Sequence, residues 1–113
     1  MNFKNLLLTL AFGSLLAGTA MAQAGPGVYD PGHPRVNQIN RREQWQQDRI
    51  ANGIRNDRLT PGQAARLEGR ENRLVRNERR DMRSDGGHLT RRDQAQLNRE
   101  ANRISRSIYR DKH

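Results

Sequence analysis

The stretch that decides the fold is residues 57–74, "DRLTPGQAARLEGRENRL", because residues 87–104, "GHLTRRDQAQLNREANRI", write it again thirty positions later. Leu59-Thr60 falls on Leu89-Thr90, Ala65 on Ala95, Leu67 on Leu97, Asn72-Arg73 on Asn102-Arg103, and Leu74 on Ile104. In both copies a threonine stands just before a run of apolar residues at helical spacing. Its hydroxyl is placed to accept from the amide three residues on and start a helix. Pro61 suits the first helical position, where its missing N–H costs nothing, and Gln63 completes a capping box. Asp93 occupies the same place in the second copy, favoured there by the helix dipole. The leucine before each threonine packs back as a staple. Thr60 and Thr90 are therefore the expected helix caps.

Outward from these turns, the helix after Thr60 reaches about Ser84, some 24 residues or ~36 Å, until "DGG" at 85–87 stops it. The helix after Thr90 carries Leu97, Ala101, Ile104 and Ile108 on one stripe. Upstream, a further helix is expected to begin between Arg35 and Arg41, with Asn40 and Glu43 as an N-x-x-E cap. It is expected to end at Gly53, since glycine enters the left-handed conformation freely. Val36, Ile39, Ile50 and Ile54 form its stripe, which Glu43 and Gln46 interrupt. The pattern predicts an all-α fold: a three-helix antiparallel array built from two helical repeats joined by Leu-Thr turns. Charged breaks at Glu43, Glu71 and Glu78 imply a thin core, with those glutamates facing arginines or lying at the edge of a sheet of helices.

The ends of the chain set its address. "MNFK", the apolar "LLLTLAFGSLL" at 6–16 and the small residues of "AGTAMA" at 17–22 have the form of a signal peptide, with cleavage expected after Ala22, or else after Ala24. The apolar run is too short to span a membrane, which takes about 20 residues. Residues 23–34, "QAGPGVYDPGHP", read as a flexible Gly/Pro leader, and 35–113 as the helical repeat domain. A periplasmic or secreted protein is expected. No cysteine occurs, so nothing but side-chain packing holds the mature chain. A domain this small with so few large apolar residues is expected to be marginal as a monomer, or to form a homodimer that shares apolar faces.

The charge is lopsided. The whole chain is +9, and removal of Lys4, the one charged residue of the signal, leaves +8. Every remaining base but Lys112 is arginine, whose planar fork suits carboxylates and phosphates. On the last helix Arg92, Arg99, Arg103, Arg106 and Arg110 recur at helical spacing, roughly 200° around from the apolar stripe. Over 90–113 seven bases meet three acids, a net of +4. The second helix has a diluted row in Arg66, Arg70, Arg73 and Arg80. These rows, with Leu97, Ile104 and Ile108 on the opposite face, are the candidate binding residues.

Catalytic chemistry is not legible. No serine has a G-x-S-x-G context, and His33, His88 and His113 show no metal-clip spacing. Against a calcium loop, the second turn offers Asp81 and Asp85 but has Arg83 and Arg92 at two ligand positions and His88 at the aliphatic one. The first turn, with Asn52, Ile54, Asn56 and Gln63, has no carboxylate at the key places. Neither a cofactor nor a metal is expected, nor enzymatic activity, and no motif for specific nucleic-acid binding is present.

"LTPGQ" at 59–63 resembles the LTxxQ motif of the Spy/CpxP group of small periplasmic helical proteins. The second turn, "LTRRD" at 89–93, departs from it by placing Asp93 where glutamine is expected. "SRSIYRDKH" at 105–113 is more similar to small exported proteobacterial proteins. The Spy/CpxP resemblance implies a thin, basic, all-helical cradle, usually dimeric, in the envelope stress response, with some members chaperoning unfolded clients. Two functions follow as expectations. One is a chaperone-like protein holding unfolded or acidic clients, with Arg99, Arg103, Arg106 and Arg110 steering them. The other is an envelope structural protein that binds anionic polymers or lipid headgroups through its arginine faces.

Overall fold

The structure, a computed structural model, describes residues 23–113; the expected signal peptide lies outside them. Three helices follow in order: α1 (Pro34–Arg55), α2 (Pro61–Ser84) and α3 (Arg91–Lys112). No strand occurs among the described residues.

Both Leu-Thr turns form as the repeat implies. The Gln63 amide donates to Thr60 Oγ1 at 3.1 Å, and the Thr60 amide donates to Gln63 Oε1 at 2.9 Å. Thr90 and Asp93 exchange the same two bonds, each 3.0 Å long. Leu59 and Leu89 are buried beneath the turns. Short turns make successive helices antiparallel, so α1 and α3 run parallel. A ladder of side chains joins them: Arg35 to the Leu89 carbonyl, Gln38 to Gln94 and Asn98, Gln46 to the Ala101 carbonyl, and Arg49 to Ser105.

Each helix packs against the other two. The array is thus the expected all-α three-helix fold, closed into a bundle, and not the sheet of helices that was one of two readings of the interrupted stripes. The interruptions themselves explain the difference. Glu43, Glu71 and Glu78 neither mark an edge nor reach solvent; all three are fully buried and fill core volume between the apolar residues.

Three further expectations are corrected. α1 begins at Pro34, whose fixed φ suits the first helical position, and His33 flanks it without a side-chain cap. Asn40 and Glu43 consequently lie inside the helix, where no cap is needed. Gly53 is also interior, because α1 continues to Arg55 and the left-handed residue is Asp57 at φ 56°. What Gly53 provides is space: a Cβ there would stand 2.8 Å from Leu59 Cδ1 and Cγ, and its carbonyl accepts from the Arg58 and Leu59 amides.

Third, the leader is not loose. Fully buried Asn40 accepts from the Gly25 amide at 3.1 Å and donates to the Gln23 and Val28 carbonyls at 3.0 and 2.9 Å. Asn37 does the same for Asp30, accepting from its amide and donating to its carbonyl. Ala24 joins the core. Two asparagines one helical turn apart thus bind a segment that composition alone marks as free.

Candidate functional site

The five arginines singled out on α3, Arg92, Arg99, Arg103, Arg106 and Arg110, are all exposed. Leu97, Ile104 and Ile108 project the other way and are almost completely buried. The apolar stripe is therefore consumed in packing the array and lines no open cradle. Among the described residues no carboxylate lies within 4.0 Å of any of the five guanidiniums. The charge of this face is not neutralised by the chain's own acids.

The arginines of α1 do something else. Arg42 donates to the Asn98 carbonyl at 3.3 Å and to its Oδ1 at 3.0 Å. Arg49 donates to Ser105 Oγ at 2.7 Å and to the Ser105 carbonyl at 3.2 Å. Arg35, Gln38, Arg42, Gln46 and Arg49 recur every three or four residues, so one stripe of α1 is a polar seam against α3. That spacing was present in the sequence, but only the parallel packing of α1 on α3 turns it into an interface.

One convergence was not legible at all. Arg70 of α2 donates to Ser107 Oγ at 2.7 Å, and Arg110 of α3 donates to the same oxygen at 3.3 Å. Ser107 is only 6% exposed, so it is a fixed anchor. Its two acceptor positions are both taken by cations. The two nitrogens lie within about 6 Å of each other, a separation that one phosphate or carboxylate group bridges with charge-assisted hydrogen bonds. The sequence placed Arg70 and Arg110 in separate rows; antiparallel packing of α2 on α3 brings them to one point.

The interior holds a second unexpected cluster. None of the six oxygens of Glu43, Glu71 and Glu78 accepts a bond from a protein N–H or hydroxyl. Burial pushes the Glu71 carboxyl up to about 9, with Glu43 and Glu68 beside it adding to the effect and Arg42 opposing it. Burial pushes Glu78 up to about 8, against Arg79. Glu43 is held well above the usual range, first by burial and then by Glu78. Glu68, at the rim, rises to about 7, again through burial. The Glu43 and Glu78 carboxyls are neighbours that share a bond when one is protonated.

Near the start of α1, His33 and His88 come together with ring centroids 4.5 Å apart. They border a small cavity lined also by Gly32, Pro34, Arg35, Val36 and Leu89. Among the described residues no group of three His, Cys, Asp or Glu side chains is placed to hold a metal ion. No helix among them is long and apolar enough to cross a membrane. No family model, curated protein or solved structure matches the chain.

Proposed function

We propose that the chain is a non-enzymatic binding protein of the cell envelope that engages phosphate- or carboxylate-bearing polymers or lipid headgroups. Its binding face is the outer surface of the α2–α3 hairpin, centred on Arg70 and Arg110. The observation that carries this reading is the meeting of those two guanidiniums on Ser107, without a carboxylate partner, beside exposed Arg103 and Arg106. Cations held that way are desolvated only partly and present their remaining N–H groups outward, which favours recruitment of anions.

The client-holding alternative draws on the same arginines but also needs an apolar surface. Leu67, Leu74, Leu97, Ile104 and Ile108 are buried in the closed bundle. Among the described residues the large exposed hydrophobic ones are Tyr29, Trp45 and Tyr109, which lie on three different segments. Within the 59–63 motif, Leu59 serves as a buried staple and Thr60 and Gln63 as a capping box.

The test is binding of the purified chain to phosphatidylcholine vesicles with and without phosphatidylglycerol, and separately to inorganic polyphosphate in solution. Affinity for at least one anionic probe is expected, weakening as salt is added. Arg70→Gln/Arg110→Gln should weaken it roughly tenfold to thirtyfold, at about 1 kcal/mol per arginine near an anionic surface. Unaltered binding by a folded double variant overturns the assignment. Absence of anion binding, together with suppressed aggregation of an unfolding neutral client, moves the function to client holding.

A further inference from the structure

We propose that Glu43, Glu71 and Glu78 make the bundle a pH-gated device, in which α1 stays docked on the α2–α3 hairpin while these carboxyls are protonated and leaves it as they ionise. The inference is independent of what the arginine face binds.

Its basis is the cluster's geometry. One carboxyl from α1 and two from α2 meet in the interior, screened from water, with no N–H or hydroxyl aimed at any of their oxygens. A neutral carboxyl in such a place fills space and can bond to its neighbour. An ionised one has lost its hydration and gained nothing for it. Similar groups on ordinary surfaces would ionise without structural effect.

The surroundings reinforce this. α1 contributes Arg42 alongside Glu43; α2 contributes Arg79 alongside Glu68, Glu71, Glu78 and Asp81; α3 contributes Glu100. Acids outnumber bases around the cluster. Both bases are also engaged elsewhere, Arg42 at Asn98 and Arg79 at the Ala24 carbonyl. Glu100 accepts from Asn77 Nδ2 and adds a further acid on the α3 side of the cluster.

The direction follows from proton counting. A glutamate in the unfolded chain releases its proton near 4.5, whereas Glu78 and Glu71 hold theirs to about 8 and about 9. Between those limits the folded chain carries protons that the unfolded chain has lost, so stability falls as pH rises. Stability is full below the unfolded value and its loss is complete above the folded ones. Each buried carboxyl contributes up to about a tenfold change in the folding constant per pH unit. Three in one place give a steep joint response.

Charge would appear between α1 and α2, so this interface should part first. α1 is also held to its neighbours by polar as well as apolar contacts. Its apolar stripe of Val36, Ile39, Ile50 and Ile54 is broken by Glu43 and Gln46, and beside that stripe runs the hydrogen-bonded seam with α3, whose partners water can replace. α2 and α3 keep Leu67, Leu74, Leu97, Ile104 and Ile108 between them.

The experiment is thermal unfolding of the full chain between pH 5 and pH 10, beside Glu43→Gln/Glu71→Gln/Glu78→Gln. The melting temperature of the parent should fall steadily over this range, while the variant's profile is nearly flat. Glutamate side-chain carbon shifts, recorded by NMR on the parent chain, should include titrations well above pH 6. This measurement decides the matter even if the triple variant fails to fold. The chain has no cysteine of its own, so spin labels can be placed cleanly at exposed sites. Labels at Asp48→Cys and Arg73→Cys should separate on going from pH 6 to pH 9.5, while Ala65→Cys and Gln96→Cys keep their distance. A flat parent profile, an unchanged slope in the folded variant, or glutamates that all titrate between pH 4 and 5 overturns the gate. Both label pairs separating together, or neither, overturns the departure of α1.

Discussion

At the scale of single residues, chemically similar positions do opposite work. Gly53, Gly62 and Gly69 all sit in helices, where glycine is entropically unfavourable. Only Gly53 has a neighbour in the way: Leu59 lies 2.8 Å from the place of its missing Cβ, while Gly62 and Gly69 face open space. Gly53→Ala should destabilise the bundle by about 1–3 kcal/mol through overpacking. Gly62→Ala and Gly69→Ala should each stabilise it by about 0.5–1 kcal/mol. Urea denaturation of the three variants checks the signs, and a stabilised Gly53→Ala would show that Leu59 moves aside freely. The glutamates divide in the same manner. Glu100 remains partly open and bonded to Asn77, while Glu71, one residue type and one helix away, is sealed in.

At the scale of elements, the two caps are equivalent and the leader is the surprise. Thr60→Ala and Thr90→Ala each remove one reciprocal capping bond at a half-solvated turn. Each should cost about 1 kcal/mol by urea denaturation, and a loss below a few tenths would mean that the staple leucines alone set the turns. Asn40→Ala should cost more, since it removes the acceptor of the buried Gly25 amide and a donor to the part-buried carbonyls of Gln23 and Val28. A loss of about 2–3 kcal/mol is expected, with amide exchange of residues 24–30 rising sharply. If exchange there is unchanged, Ala24 packing rather than Asn40 holds the leader. The composition of this segment, rich in Gly and Pro, reports correctly that it is not helical. It says nothing about whether a helix elsewhere offers it hydrogen bonds.

At the scale of the whole molecule, a surplus of exposed arginine acts against the compact state. Like charges on α2 and α3 repel across the hairpin, and salt with a screening length of about 10 Å at 0.1 M weakens that repulsion. The melting temperature should therefore rise when salt is increased from a few millimolar to physiological strength. A fall on adding salt would show that attractive ion pairs dominate instead. The same surplus links fold to proposed function, because an anionic polymer laid on Arg70, Arg103, Arg106 and Arg110 would relieve the repulsion as it binds. Ligand binding and stability should then rise together.

The repeat, the Leu-Thr turns, the caps at Thr60 and Thr90 and the extent of α2 follow from local rules, and these were legible in the chain. A threonine before an apolar periodic run caps a helix regardless of what the rest of the molecule does. The basic row of α3 was legible for a like reason, since five arginines at helical spacing share a face wherever the helix is placed. Closure into a bundle, the polar seam of α1 on α3, the docking of the leader on Asn40 and the meeting of Arg70 with Arg110 were decided by tertiary structure. So was the fate of Glu43, Glu71 and Glu78, for which the sequence offered facing arginines or an edge; the fold buries them near Arg42 and Arg79 with no hydrogen bond to their oxygens. Spacing along one helix reveals which side chains share a face. Only packing against a second and third helix determines whether that face meets water, a partner or the core.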